Sequence, residues 1–418
     1  MTSIFRKRID PGANIRYDMR NINRKGADSV KKLNHLRPSA AAFLLMMAMA
    51  TTTTALSFFV SPVCDDLGIG RGSFTVYYSL MTAAGAFSTS FLGQYINKNG
   101  VRNVMLLSSF WCFAGLMLFS FSGSLWMFYV VGAAIGLFGT SCLSLCANVI
   151  VQTSYSSEQA SSLLGWVMAG SGVGGMGFSL ILPGILERFG WKLGYRFLAV
   201  CWLVLVLCAF LLSGKQETSG AVGNRKAISG GMTRAEALKS PKFYLMMAAI
   251  VIYTAGCSIQ QQLPSLLEGL RFSSAQVGVM MSVMTASLAV GKIVQGMLYS
   301  KLGISKGGIV ITVMFVAGFL LLLQPGTAYA GLINLAFGMG IVTTLMPTVV
   351  RFVFGAREFA SIWSLLATAS SVGSFVSMPV WGIVYDSCGN YVPAMIVTPI
   401  LLVAALAAML LALRSSKD

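Results

Sequence analysis

Charged residues are scarce in this sequence. Asp, Glu, Lys and Arg together make up 10% of its 418 residues: 13 acids and 30 bases, beside one histidine. A soluble domain carries roughly 25% charged residues, so this scarcity excludes an ordinary soluble fold. No stretch has the spacing of a catalytic triad, a metal cluster or a phosphate-binding loop. The chain is therefore not expected to be an enzyme, to hold a cofactor or to run on nucleotide hydrolysis. The eight cysteines are scattered through apolar segments without disulfide or metal-ligand spacing. They read as packing residues, Cys64 and Cys388 near one outer face. No apolar stretch precedes Pro38, so no cleavable signal peptide is expected.

What the chain has instead is hydrocarbon. It is 56% hydrophobic, with mean hydropathy +0.75. A bilayer-crossing helix needs about 20 apolar residues. Twelve candidate spans meet that need, near 38–62, 73–96, 102–122, 125–151, 161–185, 193–213, 243–266, 274–299, 307–324, 328–350, 360–384 and 391–413. Lipid requires backbone polar groups to be satisfied within the segment, and these runs are too long and too evenly apolar for barrel strands. An all-α membrane protein is expected.

The net charge of +17 could suggest nucleic acid, but its placement argues otherwise. With these spans, 24 of the 30 basic residues fall on one side of the membrane. This positive-inside bias puts both termini in the cytoplasm, and the basic tail 1–37 against anionic headgroups of the bilayer. The one long polar interruption, 214–242, reads as a linker between a six-span unit at 38–213 and another at 243–418. Within it, Thr233 and Glu236 have capping-box spacing for one short surface helix.

The chain also repeats itself. Gly93-x-x-x-Asn97-Lys98-x-Gly100 recurs, 203 residues on, as Gly296-x-x-x-Ser300-Lys301-x-Gly303. Each copy is expected in a short loop after the second span of its half. Val173-Gly174 and Glu187-x-x-Gly190 recur as Val372-Gly373 and Asp386-x-x-Gly389. Two parallel six-helix bundles related by a pseudo-two-fold axis would explain these offsets. Glycines crowd 170–177, where they let helices approach closely.

Lys292 is the one Lys, Arg, Asp, Glu or His placed deep in a span. It stands nine residues before Lys301, so roughly 13 Å below the interface, near the middle of a core about 30 Å thick. A cation there costs about 2.5–3.5 kcal/mol on insertion scales, and no carboxylate in any span offsets it. Ser282, Thr285, Lys292, Gln295 and Tyr299 share one helical face. Ser141, Ser144, Asn148 and Gln152 make a second polar stripe, and Gln260, Gln261 and Gln262 precede Pro264. Asn148, Gln261, Thr285 and the aromatics Tyr77, Trp166 and Trp363 are candidates to wall a pocket around the cation.

The repeated pattern, continued by Arg102, resembles the loop signature of the major facilitator superfamily. Ala169 to Gly175, Phe189-Gly-Trp-Lys192, Tyr195-Arg-Phe197 and Glu236 to Phe243 are similar to its monocarboxylate-porter and oxalate/formate-exchanger branch. So is Gly291-Lys292-x-x-x-Gly296, where the branch carries an arginine that meets the substrate carboxylate. The resemblance covers about residues 40–413. It implies alternating access about a midplane site, with Gly93, Asn97, Lys98, Gly100, Arg102, Gly296, Ser300, Lys301 and Gly303 in gating loops. Four departures stand out. Asn97 and Ser300 replace the signature aspartate. Lys292 replaces the arginine. Ser370 stands where dicarboxylate exchangers have a lysine. Residues 280–291 hold no acid for proton coupling. One cation rather than two points to a monoanion.

The resulting expectation is a monomeric secondary transporter of a small organic monoanion in a bacterial-type cytoplasmic membrane, acting by antiport or symport. The competing readings are a drug or neutral-solute exporter of the same fold, in which Lys292 is structural, and a membrane sensor that binds without transporting.

Overall fold

The computed structural model describes residues 36–155, 157–213, 231–355 and 357–414. In chain order the helices are α1 (Leu36–Leu67), α2 (Arg71–Asn99), α3 (Val101–Phe121), α4 (Leu125–Val151) and α5 (Ser157–Leu212). After the linker come α6 (Arg234–Lys239), α7 (Pro241–Gln261), α8 (Leu263–Gly269), α9 (Ser274–Leu302) and α10 (Ile304–Leu321). The last three are α11 (Pro325–Phe354), α12 (Phe359–Cys388) and α13 (Val392–Arg414). Among the described residues the one extended pairing is an isolated bridge between Gly231 and Gly355.

Ten runs among the described residues are long and apolar enough to cross a membrane, two fewer than the sequence suggests. Trp166–Leu212 counts as a single run of 47 residues. It is broken at Gly190, whose φ of 75° and ψ of 170° turn the chain with no intervening loop. The 29-residue α2 lies outside the ten.

Local chemistry sets the helix starts. Ser240 accepts from the Lys242 N–H and Pro241 follows it, so α7 begins with a cap and a pre-set φ. Ser273 and Gln276 form a reciprocal capping box at α9. The repeated pattern is not a loop. Residues 93–99 continue α2, and only Gly100 turns. Gly100 and Gly303 share one backbone conformation (φ 81° and ψ 156°; φ 79° and ψ 164°), which L side chains rarely adopt. The reason for the helical continuation is that the pattern's interior lacks a breaker; its glycine alone ends the helix.

The capping box expected at Thr233 is present. The Glu236 carboxylate accepts from the Thr233 N–H at 2.8 Å, and the Thr233 hydroxyl accepts from the Glu236 N–H at 3.3 Å. This short helix is docked on the turn between α11 and α12. Met232 N–H donates to Phe354 O at 2.8 Å, and Arg234 N–H donates to the Glu358 carboxylate at 2.8 Å. Cys64 and Cys388 are free thiols.

The packing that places the site runs between the first and second halves of the chain. Helix α2 lies against α12, and α5 against α9. Gly72 and Gly382 touch backbone to backbone, where any side chain would collide. Along the second pair, a Cβ on Gly278 would meet Ser179 O at 2.5 Å, and one on Gly175 would meet Thr285 Cγ2 at 2.7 Å. Close approach without side chains is how helices associate where no hydrophobic force separates them from lipid.

Candidate functional site

Among the described residues, close contacts between the halves cluster where α12 ends and α2 begins. There Asp386, at the end of α12, receives the start of α2: Arg71 N–H donates to Oδ1 at 2.9 Å and Gly72 N–H to Oδ2 at 2.8 Å. A carboxylate on a helix N-terminus satisfies orphan donors and complements the helix dipole. The Arg71 guanidinium lies 3.8 Å over the Tyr385 ring and donates to Ser265, with Tyr391 Oη at 3.4 Å. Tyr391 in turn donates to Gln262 Oε1 at 2.9 Å. Deeper in, Ser61 bonds Ser265 at 3.0 Å and Gln261 Nε2 donates to Thr53 O at 3.0 Å. Together these form a clamp that closes the side remote from the linker.

Next to this closure a cavity of about 460 Å³ lies between α1, α5, α7 and α9. Its polar lining is Thr53, Thr54, Ser171, Gln260, Thr285 and Lys292. Met168 and Leu288 are among its apolar walls. No Asp or Glu lines it.

The stripe on α9 divides by role. Ser282 donates to Met176 O at 2.9 Å and ties α9 to α5. Gln295 is fully buried, bonded to Phe337 O, Thr344 and Tyr299, and ties α9 to α11. Lys292 is different: it faces the cavity, exposed, with no hydrogen bond or ion pair to a described residue. The hydroxyls of Thr53, Ser171 and Thr285 donate to carbonyls of their own helices at 3.0, 2.9 and 2.8 Å. Toward the cavity they offer acceptor lone pairs. A ligand there meets one cation, one amide and a set of acceptors.

The other candidates from the sequence are placed as follows. Thr285 lines the cavity. Gln261 is 6% exposed and committed to Thr53, and its neighbour Gln260 faces the cavity instead. Residues Ser258–Gln261 form a 3-10 turn, which rotates side chains away from α-helical register. Asn148 is outside the lining and donates to Ser144 O of its own helix at 2.9 Å. Tyr77 is 1% exposed in an aromatic cluster with Phe74, Phe119 and Phe128. Its ring fills the core rather than walling a pocket. Trp166, 64% exposed, stacks on Phe43 of α1 at 5.6 Å, two residues before the lining residue Met168. Trp363 stacks on Phe359, one turn away on α12, at 6.5 Å.

Of the nine residues assigned to gating, Gly100 and Gly303 cap the following helices and Gly93 and Gly296 are helical. Arg102 lies 4.1 Å over the Phe210 ring. Lys301 is exposed in the last turn of α9. The side chains of Asn97, Lys98 and Ser300 lie outside the described residues. Sequence reasoning did not find the Arg71–Asp386 clamp. Asp386 was visible as a repeat position, but its partners are 314 and 315 residues away.

The family model described as Major Facilitator Superfamily matches residues 41–378. An uncharacterized MFS-type transporter of Escherichia coli (strain K12) is 24% identical over 312 residues, covering 71% of this chain and 75% of that one. Monocarboxylate transporter 13 of Rattus norvegicus is 24% identical over 316 residues, covering 73% and 72%. Among solved structures, a bacterial homolog of the human lysosomal transporter Spinster, in an inward-facing and occupied conformation, superposes with a TM-score of 0.71. That pair is 16% identical over 90% of this chain and 96% of the other, a likeness of fold.

Proposed function

The chain belongs to the Major Facilitator Superfamily, and from that premise we propose that it carries a small organic monoanion across a cytoplasmic membrane by alternating access. The observation that carries the reading is Lys292: a cation on a membrane helix, aimed into a cavity and unpaired. An ammonium in that position is costly unless something compensates it, and the lining supplies no carboxylate. A ligand carboxylate would do so through a charge-assisted hydrogen bond. With one cation in the lining, a second carboxylate on the ligand would go unpaired.

In this reading the protein is a monomer of twelve spans in two six-helix bundles, 38–213 and 243–418, with both termini cytoplasmic and the linker 214–242 between them. The present structure is the form open toward the cytoplasm. Opening to the other side requires the Asp386 clamp to part and α5 and α9 to separate around Gly175. Gln260, Ser171 and Thr53 orient the ligand. Lys98, Arg102 and Lys301, beside the turns at Gly100 and Gly303, lock or release the inward-closed state. The similarity to a monocarboxylate transporter supports the substrate class but does not choose a molecule.

The test is uptake of radiolabelled short monocarboxylates and dicarboxylates into proteoliposomes, with and without a counter-anion inside. Lys292→Ala abolishes monocarboxylate uptake, and Lys292→Arg keeps part of it. Unchanged anion uptake in Lys292→Ala, or transport of neutral solutes only, would refute the proposal. Ligand binding without movement would make the protein a sensor.

A further inference from the structure

A second cavity, of about 880 Å³, lies at the linker-side ends of α9, α10, α11 and α13. The internal repeat explains why it is open. In the first half, Arg102 is the second residue of α3, and its guanidinium lies over Phe210 near the end of α5. An offset of 203 carries Arg102 to Ser305, the second residue of α10, and the offset of 199 set by Gly190 and Gly389 carries Phe210 to Met409 in α13. An arginine on an aromatic ring fills the notch in one half. In the other, the hydroxymethyl of Ser305 replaces the guanidinium and leaves it open.

The lining has two chemistries. Lys306 and Arg414 supply two cations, neither with a hydrogen bond or ion pair to a described residue. Beside them is the start of the 18-residue α10, whose N-cap Gly303 offers no side-chain acceptor. The first bond of that helix is Gly307 N–H to Gly303 O at 3.0 Å, so the N–H groups of Ile304, Ser305 and Lys306 precede it without a partner among the described residues. Free N–H groups, the helix dipole and two cations together make a phosphate site. The rest of the wall is hydrocarbon, including Ile309, Phe352 and Leu410. No carboxylate takes part.

We propose that this cavity holds an anionic phospholipid of the linker-side leaflet. Its headgroup phosphate sits at the start of α10 between Lys306 and Arg414, and an acyl chain runs along Ile309, Phe352 and Leu410. A soluble phosphate would leave that apolar wall uncovered. A phosphatidylcholine would bring its own cation against two others. Basic pockets between membrane helices are the pattern expected of anionic-lipid sites. The inference needs the chain to sit in a membrane, but it does not depend on what Lys292 binds.

Native mass spectrometry of the full chain, titrated with phosphatidylglycerol or with phosphatidylcholine of the same acyl chains, tests it. One phosphatidylglycerol adduct is expected to bind about 30-fold more tightly than phosphatidylcholine, from roughly 1 kcal/mol per basic residue. Lys306→Gln with Arg414→Gln removes the preference, while Lys306→Arg with Arg414→Lys keeps it. Ser305→Arg leaves both cations in place but fills the notch as Arg102 does, and it also displaces the lipid. Equal phosphatidylglycerol binding in the glutamine pair and in Ser305→Arg would overturn the proposal. So would equal affinity for phosphatidylcholine, or displacement of the lipid by glycerol phosphate at comparable concentration.

Discussion

Replacing Asp386 with alanine isolates the closure of the remote side from the chemistry of the site. The carboxylate holds two backbone N–H groups, at 2.9 and 2.8 Å, at the start of a 29-residue helix that belongs to the other half of the chain. Removing an aspartate from a helix cap costs about 0.5–2 kcal/mol, and an anion at a helix N-terminus contributes about 0.3–1 kcal/mol. Asp386 is exposed, so solvent screening holds the sum to about 1–2 kcal/mol. All of it belongs to the closed form, because the two partners separate when that side opens. The ratio of closed to open molecules should then fall about 5–30-fold. Spin labels at Arg188 and Ala275, near the remote ends of the first helical stretch of α5 and of α9, report this as a gain in the long-distance population. The background for the labels lacks the exposed cysteines Cys208 and Cys388. An unchanged distance distribution in a folded Asp386→Ala protein would show that the clamp is incidental to closure.

Gly175→Val places branched carbons where a bare Cβ would already lie 2.7 Å from Thr285 Cγ2. It should reduce transport at least about tenfold while membrane insertion stays normal, with the remote side trapped open to a thiol reagent; normal transport would refute the close-approach argument. Glu268, in the last turn of α8, has its carboxyl pKa raised by desolvation, an effect partly opposed by a Ser61 hydrogen bond and the Arg71 charge. A raised carboxyl pKa means the closed form takes up a proton more readily than a form with Glu268 in water. Acidification therefore favours closure, and that gain is lost as pH rises through the raised value. The same spin-label pair should show more closed molecules at pH 5 than at pH 7, and Glu268→Gln should flatten the difference.

The apolar runs and the capping box at Thr233 were legible in the sequence because each is a local pattern with its own physical cause. The facing of individual polar residues was not. Three successive glutamines, Gln260 to Gln262, look equivalent until a 3-10 turn sends one to the cavity, one to a carbonyl across the halves and one to Tyr391. Asn148 satisfied the helical period but spends its amide on its own helix. Tyr77 could not be told from a pocket aromatic, since core and pocket rings share one composition. The Asp386 clamp joins residues more than 300 positions apart, beyond the reach of any local pattern.

The docking of α6 decides what a severed chain would do. A protease cut placed between residues 213 and 231 would leave Met232 and Arg234 still hooked to Phe354 and Glu358. The amphipathic stub would stay with the carboxy-terminal fragment instead of dangling from the amino-terminal one. Split versions made for reassembly, or a fluorescent reporter spliced in at that point, should respect this ownership. A break after Lys239 would strip the later fragment of a piece of its own surface.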